Sequence, residues 1–143
     1  MLMHKILIVD DEKIERQGLK KIIGEFFSAD SIEIKEADNG RLAIMKAEEF
    51  RPDVVFMDIK MPGIDGVEAV KEIKKTNQDI QIIMVTAFDT FEYARQVMRL
   101  GVKDYLLKPT TKEEIIKPLI EIFEKIEKEK KKRTEDIILK AST

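Results

Sequence analysis

Cysteine is absent from this chain, and histidine occurs only once, at His4. Without cysteine, neither disulfide bonds nor thiol catalysis can contribute. His4 has no partners at metal-ligand spacing, so a zinc site is not expected. Net charge is also small, because 26 basic and 28 acidic residues leave −2 at pH 7. That balance does not favour nucleic acid or an anionic membrane as the direct partner of this segment.

Long apolar runs are missing as well. No run approaches the ~20 residues that a transmembrane helix needs, and no signal-peptide pattern follows Met1. We therefore expect a soluble, cytoplasmic protein that has no membrane partner. The 143 residues are enough for one domain with a hydrophobic core.

The segment from Val54 to Gly66 is the most informative part of the chain. Its first four residues, Val54–Met57, are all apolar and predict a strand that is buried on both faces. The strand ends at Asp58, and a loop follows. Because open α/β sheets bind ligands beyond the carboxyl ends of their strands, Asp58 is a candidate functional residue. The alternative is that Asp58 only caps the loop.

Apolar runs and helical patterns alternate along most of the chain. Strands are predicted at residues 5–10, 31–37, 54–57, 80–86 and 102–108, and helices at residues 13–27, 41–50, 67–75, 90–100 and from 112 onward. Strict alternation predicts a parallel sheet with helices on both faces. Strands two and five carry polar residues and should be the edges. The expected fold is therefore a flavodoxin-like, doubly wound (βα)5 α/β fold with strand order 2-1-3-4-5, all parallel.

The first and last helices carry apolar stripes that lead to further predictions. The first helix should turn one apolar face to the core. That face consists of Ile14, Leu19, Ile22, Ile23 and Phe26. The last has a coiled-coil-like seam at 4-3-4 spacing, made of Ile115, Leu119, Ile122 and Ile126. Pro118 is unfavourable inside that helix. We expect residues 1–126 to form the domain, and residues 127–143 to be a charged helical extension toward a missing output domain.

Polar residues stand where four of the predicted strands end. Asp10, followed by Asp11 and Glu12, ends strand one, and Asp58 ends strand three. Strands four and five end at Thr86 and Lys108. Each has an ordinary explanation, such as a helix N-cap for the aspartates or a solvated loop residue for Lys108. Their convergence on one edge of one sheet has no such explanation.

This set of residues suits phosphoryl transfer. Clustered carboxylates repel one another, and a hard divalent cation such as Mg2+ (or Mn2+) relieves that repulsion. A metal beside Asp58 would prepare that carboxylate to attack a phosphoryl group and form an aspartyl phosphate. Lys108 would supply a positive charge to the product, and Thr86 a hydroxyl group.

Four segments closely resemble the receiver domains of two-component response regulators: ILIVDDE, VVFMDIKMPGIDG, IIMVTA and KDYLLKP. The resemblance covers about residues 4 to 125, in order and with the spacing of the family. It implies that Asp58 is the phosphoacceptor. It also implies that Asp11, Asp58 and the backbone carbonyl of Lys60 bind Mg2+ directly, and that Asp10 binds it through water.

The resemblance implies further roles. Thr86 and Lys108 would contact the phosphoryl group, and the Lys108–Pro109 peptide bond would be cis. Tyr105 matches the aromatic residue that turns inward when the threonine engages phosphate, although it is also an ordinary half-buried residue of an edge strand. The segment AFDTFEYA, residues 87–94, most resembles regulators whose output is an AraC-type DNA-binding domain.

Two variable positions of the family flank the approach of the hydrolytic water, here Lys60 and Phe88. Phe88 cannot orient a water by hydrogen bonding, and Lys60 can occupy the space that the water needs. We therefore expect a long-lived phosphate. An ammonium can also stabilise the transition state and speed hydrolysis, which would reverse the effect of Lys60.

The resemblance implies a signalling switch rather than an enzyme with its own substrate. A histidine kinase would phosphorylate Asp58, and the face formed by the fourth helix, fifth strand and fifth helix would change its partners. Phosphorylation should favour a homodimer through this face, aided by the apolar seam of the last helix, and DNA would be contacted only through a missing C-terminal domain. A competing hypothesis is an aspartate-nucleophile phosphatase. That class has a second aspartate two residues after the first, and this chain has Lys60 at that position. A flavin binder would need a phosphate-cradling loop, which the acidic Asp10-Asp11-Glu12 segment does not provide.

Overall fold

A computed structural model describes residues 3–87 and 91–142. The strands are β1 (His4–Val9), β2 (Ile32–Ala37), β3 (Val54–Met57), β4 (Gln81–Thr86) and β5 (Asp104–Leu107). They form one parallel sheet in the order β2-β1-β3-β4-β5. The predicted fold class and strand order are confirmed.

Five helices connect or follow the strands. They are α1 (Lys13–Phe26), α2 (Gly40–Phe50), α3 (Gly66–Thr76), α4 (Phe91–Arg99) and α5 (Lys112–Ala141). Asn39, Asp65 and Thr111 cap α2, α3 and α5 by accepting a hydrogen bond from a backbone amide of the first helical turn. The side-chain caps explain why these helices begin where they do.

The sheet separates two hydrophobic layers, because successive residues of a strand point to opposite faces. Leu7 and Val9 of β1 face the layer covered by α2, α3 and α4, whereas Ile6 and Ile8 face the layer covered by α1 and α5. All four residues of β3 are buried. Double coverage explains why the central strands are uniformly apolar.

The prediction for α1 is wrong at two positions. Ile14 is 75% exposed and Phe26 is 59% exposed, whereas Ile23 is fully buried and Leu19 and Ile22 are partly buried. Ile14 precedes Ile23 by nine residues, or about two and a half turns, and so lies on the opposite side of the helix. Phe27 occupies the inward position beyond the helix end, with its ring 5.4 Å from that of Phe123.

The predicted seam of α5 is not available to a partner molecule. Ile115, Leu119 and Ile122 are buried in the core against the sheet, and Ile126 packs against the same cluster. A 4-3-4 spacing marks any helix with one buried face, so it cannot distinguish the domain's own sheet from a second helix. Helix α5 continues through Pro118, which is also buried.

Helix α5 extends well beyond the sheet, and its residues 127–141 are all exposed. His4 holds the start of this extension. Its Nε2 atom lies 3.0 Å from Oε1 of Glu127, and its ring stacks on Phe123 at a centroid distance of 4.1 Å. Within residues 3–87 and 91–142, no helix has both the length and the apolar content to cross a membrane.

Candidate functional site

The carboxyl edge of the sheet brings together the polar residues that end four of the strands. Asp10 follows β1, Asp58 follows β3, Thr86 ends β4 and Lys108 follows β5. The two aspartates and Thr86 are buried, although their side chains are polar. Because β1 and β3 are neighbours, the residues after them meet at the crevice where the strand order reverses.

Lys108 lies at the centre of this group. Its Nζ atom is 2.7 Å from Oδ2 of Asp10, 3.5 Å from Oδ2 of Asp58 and 3.9 Å from Oε2 of Glu15. Burial alone would lower the pKa of Lys108, but the hydrogen bond to Asp10 and the surrounding carboxylates outweigh burial and raise it. The ammonium therefore stays protonated. The Lys108–Pro109 peptide bond is cis.

The Asp58 carboxylate is held at several points. Its Oδ1 atom accepts a hydrogen bond from the amide of Ile59 at 2.8 Å, and Thr86 donates to the carboxylate. Burial raises the pKa of Asp58, and the charge of Asp10 adds to this effect, while Lys108 opposes both. The result is a partly desolvated carboxylate with a cation and a hydroxyl beside it.

Close packing of α3 fixes the backbone at Asp58. The amide of Gly66 donates to the carbonyl of Ile59 at 2.7 Å. A Cβ atom on Gly66 would lie 1.9 Å from the carbonyl oxygen of Asp58. Only glycine allows the first residue of α3 to approach the end of β3 so closely.

Three consecutive acidic residues form a candidate cation site. One carboxylate oxygen from each of Asp10, Asp11 and Glu12 lies within 4.8 Å of the others. Asp10 is buried, while the other two are exposed. The amide of Glu12 donates to Oδ1 of Asp10 at 2.9 Å, which fixes the turn. Carboxylate oxygens that are partly open to water are the donors that suit Mg2+.

Arg16 is a residue of this region that sequence reasoning missed. Its Nη1 atom donates to the backbone carbonyl of Asp10 at 2.7 Å, and its Nε atom donates to Oε1 of Glu36 at 3.0 Å. Lys20 binds the other carboxylate oxygen of Glu36 at 3.1 Å. A signal was present in the sequence, because Arg16 stands one helical turn after the acidic segment.

Of the remaining predicted residues, the structure describes Lys60 and Tyr105. Lys60 is exposed and lines the cavity that contains Asp10, Asp58 and Lys108. Tyr105 is half-buried in β5 and packs against the core on the α2–α4 side of the sheet. Phe88, the second proposed rate-tuning residue, lies outside the described residues.

Comparison with known proteins places this geometry in one family. Residues 6–120 match the family model described as response regulator receiver domain. The chain is 40% identical over 127 residues to the transcriptional regulatory protein YesN of Bacillus subtilis, covering 89% of this chain and 34% of YesN. It is 42% identical over 111 residues to YdfI of the same organism, covering 78% of this chain and 51% of YdfI. This chain thus spans about a third to a half of the length of these two relatives.

Solved structures agree with the sequence comparison. The fold is similar to the receiver domain of AraT, a response regulator from Geobacillus stearothermophilus, with a TM-score of 0.79 and 36% identity, covering 90% of this chain and 99% of that one. It is also similar to the chemotaxis protein CheY4 of Vibrio cholerae, with a TM-score of 0.74 and 30% identity, covering 84% and 98% of the two chains.

Proposed function

Because this chain belongs to the response regulator receiver domain family, and is therefore a signalling domain, we propose that Asp58 accepts a phosphoryl group from a histidine kinase. The observation that carries the proposal is the position of Asp58. It is a buried carboxylate at the edge of the sheet, with Lys108 at 3.5 Å and a hydrogen bond from Thr86. A residue that only capped the loop would need neither partner.

In the proposed reaction, an oxygen of Asp58 attacks the phosphorus atom of a phosphohistidine. The new P–O bond forms as the P–N bond breaks, and the histidine nitrogen keeps the electron pair and takes up a proton. Lys108 then binds a phosphoryl oxygen, and the hydroxyl of Thr86 moves from the carboxylate to the phosphoryl group. Both groups are already beside Asp58, so the reaction requires little reorganisation.

The proposed cation ligands are the carboxylates of Asp11 and Asp58 and the backbone carbonyl of Lys60, with Asp10 acting through water. Support comes from the donor chemistry, since the oxygens of Asp10 and Asp11 are already close to each other and to Glu12. Mg2+, or Mn2+ in its place, would neutralise charge on the phosphoryl oxygens. Asp10 would then be shared between the cation and Lys108.

The proposed output is a change of the surface formed by α4, β5 and α5. Movement of Thr86 toward the phosphoryl group would draw Tyr105 inward and alter this face. A homodimer and an attached C-terminal DNA-binding domain of AraC type belong to the same proposal, as does a cytoplasmic location. Two relatives are named as transcriptional regulatory proteins, which supports control of transcription.

The lifetime of the phosphate is a further part of the proposal. Lys60 and Phe88 are expected to exclude the hydrolytic water, so Lys60→Asn combined with Phe88→Ala should shorten the lifetime about 10-fold, or about 1.4 kcal/mol of barrier. The decay of the phosphoprotein, followed by intact-mass spectrometry, measures it. An equal or longer lifetime in the double variant would contradict the shielding argument.

The function is tested by incubation with a small acyl phosphate and Mg2+. Intact-mass spectrometry should show addition of one phosphoryl group, which requires the divalent cation and is lost in Asp58→Ala. Asp30→Ala is a matched control, because Asp30 is an exposed acid that precedes β2, at the opposite edge of the sheet from the site. Full modification of Asp58→Ala at another residue would refute the assignment.

A further inference from the structure

The structure assigns Arg16 a positioning role: its guanidinium fixes the backbone of Asp10 so that the acidic residues point toward a shared cation. This inference rests on the proposed function. Arg16 is largely buried, with 14% of its side chain exposed. It reaches across the β1–α1 turn to the carbonyl of Asp10, the residue that begins the acidic segment.

The contact acts on the backbone and leaves the Asp10 carboxylate free for other partners. The Asp10 side chain binds Lys108 through Oδ2 and the amide of Glu12 through Oδ1. The Asp10 amide donates to the carbonyl of Ala37 at 3.1 Å, so Arg16 holds the carbonyl on the other side of the residue. The turn is thus held from both sides while adjacent carboxylates repel each other.

Glu36 orients Arg16 from the end of β2. It binds Nε of Arg16 and also binds Lys20, so the guanidinium is held in one plane with Nη1 directed at Asp10. Lys46 donates to the backbone carbonyl of Glu36 and holds this residue in turn. Arginine suits the task because one rigid group donates to two acceptors at once.

The sign of the effect distinguishes positioning from simple electrostatics. A positive charge near a cation site repels the cation, so removing the charge of Arg16 would tighten binding if charge alone mattered. If Arg16 positions the acidic segment, its removal should weaken binding. Loss of a residue that orients metal ligands typically costs 10-fold or more in metal affinity.

The test is an electron paramagnetic resonance titration of the full chain with Mn2+, in which the signal of free Mn2+ reports binding without any phosphorylation. Arg16→Met should raise the Kd about 10-fold relative to the parent protein. Lys21→Met is the matched control. Lys21 is an exposed lysine of the same helix, and its loss changes the net charge equally. Its Kd should equal that of the parent or be slightly lower.

A second measurement separates positioning from damage to the phosphoacceptor. The rate of phosphorylation of Arg16→Met by a small acyl phosphate should require more Mn2+ but reach the plateau of the parent protein. A Kd equal to or lower than that of the parent would overturn the inference, and so would a lowered plateau at saturating Mn2+. If Arg16→Met does not fold by circular dichroism, Arg16→Lys decides, and an unchanged Kd in that variant would overturn it.

The two proposals fail in different ways. A parent protein that binds no Mn2+ and is not phosphorylated at Asp58 would refute the proposed function together with the inference. A parent that does both, with an unaffected Arg16→Met, would refute only the role of Arg16.

Discussion

Lys108 offsets the charge of two buried carboxylates, those of Asp10 and Asp58. Lys108→Met would leave both without this cation, so we expect it to lower the free energy of unfolding by about 3 kcal/mol without divalent cations. Mg2+ should recover part of the loss and stabilise the variant more than the parent. Urea denaturation with and without Mg2+ measures both effects.

The control for this prediction is Lys103→Met. Lys103 binds Glu121 at 3.1 Å in a partly exposed ion pair, whose loss should cost less than about 1 kcal/mol and show no dependence on Mg2+. Equal losses in the two variants would mean that the burial of Asp10 and Asp58 does not make their pairing with Lys108 special.

Glu36 should make stability depend on pH. Burial alone would raise the pKa of Glu36, but hydrogen bonds from Lys20 and Arg16 outweigh it and lower the pKa below 4.5. The unfolded chain therefore takes up the proton first as pH falls, so this stabilisation is complete above about pH 5 and is lost as pH falls through the folded value. Glu36→Gln should show a weaker loss of stability from about pH 5 to pH 3.

Urea denaturation at each pH measures this dependence, with Glu33→Gln as the control. Glu33 is an exposed glutamate of the same strand. The prediction fails if Glu36→Gln and Glu33→Gln follow the same pH dependence as the parent protein.

At the scale of elements, the close contact between α3 and β3 depends on the absence of a side chain at Gly66. Gly66→Ala would place a Cβ atom 1.9 Å from the Asp58 carbonyl oxygen and 2.9 Å from the Cα of Ile59. Both are backbone atoms, so α3 or the end of β3 must move. We expect the free energy of unfolding to fall by about 3 kcal/mol, with slower phosphorylation of Asp58.

Gly24→Ala is the control for the contact, and urea denaturation compares the two variants. A Cβ atom on Gly24 would meet nothing within 4 Å, and Gly24 lies inside α1. Alanine should therefore stabilise the protein by about 0.5–1 kcal/mol. A neutral or stabilising Gly66→Ala would contradict the packing argument.

The elements could be predicted from the sequence because burial leaves a clear pattern. The uniformly apolar Val54–Met57 predicts a central strand, and the polar residues of β2 predict an edge. The same patterns do not identify what covers an apolar face, so the spacing of Ile115 and Leu119 predicts contact with a partner although both residues cover the sheet. The contact of Arg16 is harder to predict, because its acceptor is a backbone carbonyl, which every residue has.

At the scale of the whole molecule, an isologous dimer must use exposed residues, since the seam of α5 is buried. On the α4–β5–α5 face, Met98 is 60% exposed and Leu107 is 39% exposed. We expect phosphorylation to produce a dimer at tens of micromolar, and Met98→Asp to prevent the dimer while leaving phosphorylation unchanged. Sedimentation velocity with and without the small acyl phosphate measures this.

The control for the dimer is Met45→Asp. Met45 is a similarly exposed methionine on α2, away from the α4–β5–α5 face. This variant should dimerise like the parent protein. A phosphorylated parent that stays monomeric, or a Met98→Asp variant that still dimerises, would refute this choice of face.

The length of α5 has a mechanical consequence. Its 30 residues make a rod about 45 Å long, and the exposed residues 127–141 account for about 22 Å of it, joined to the sheet at Glu127 by His4 of β1. The ring of His4 stacks on Phe123 and is hydrogen-bonded to Glu127, at the point where the rod leaves the domain. Any tilt of the exposed part of α5 would pivot at this point. A tilt of about 10° there would swing the far end by about 4 Å, given a rise of about 1.5 Å per residue. A rearrangement too small to disturb the core would thus be amplified for whatever the rod carries.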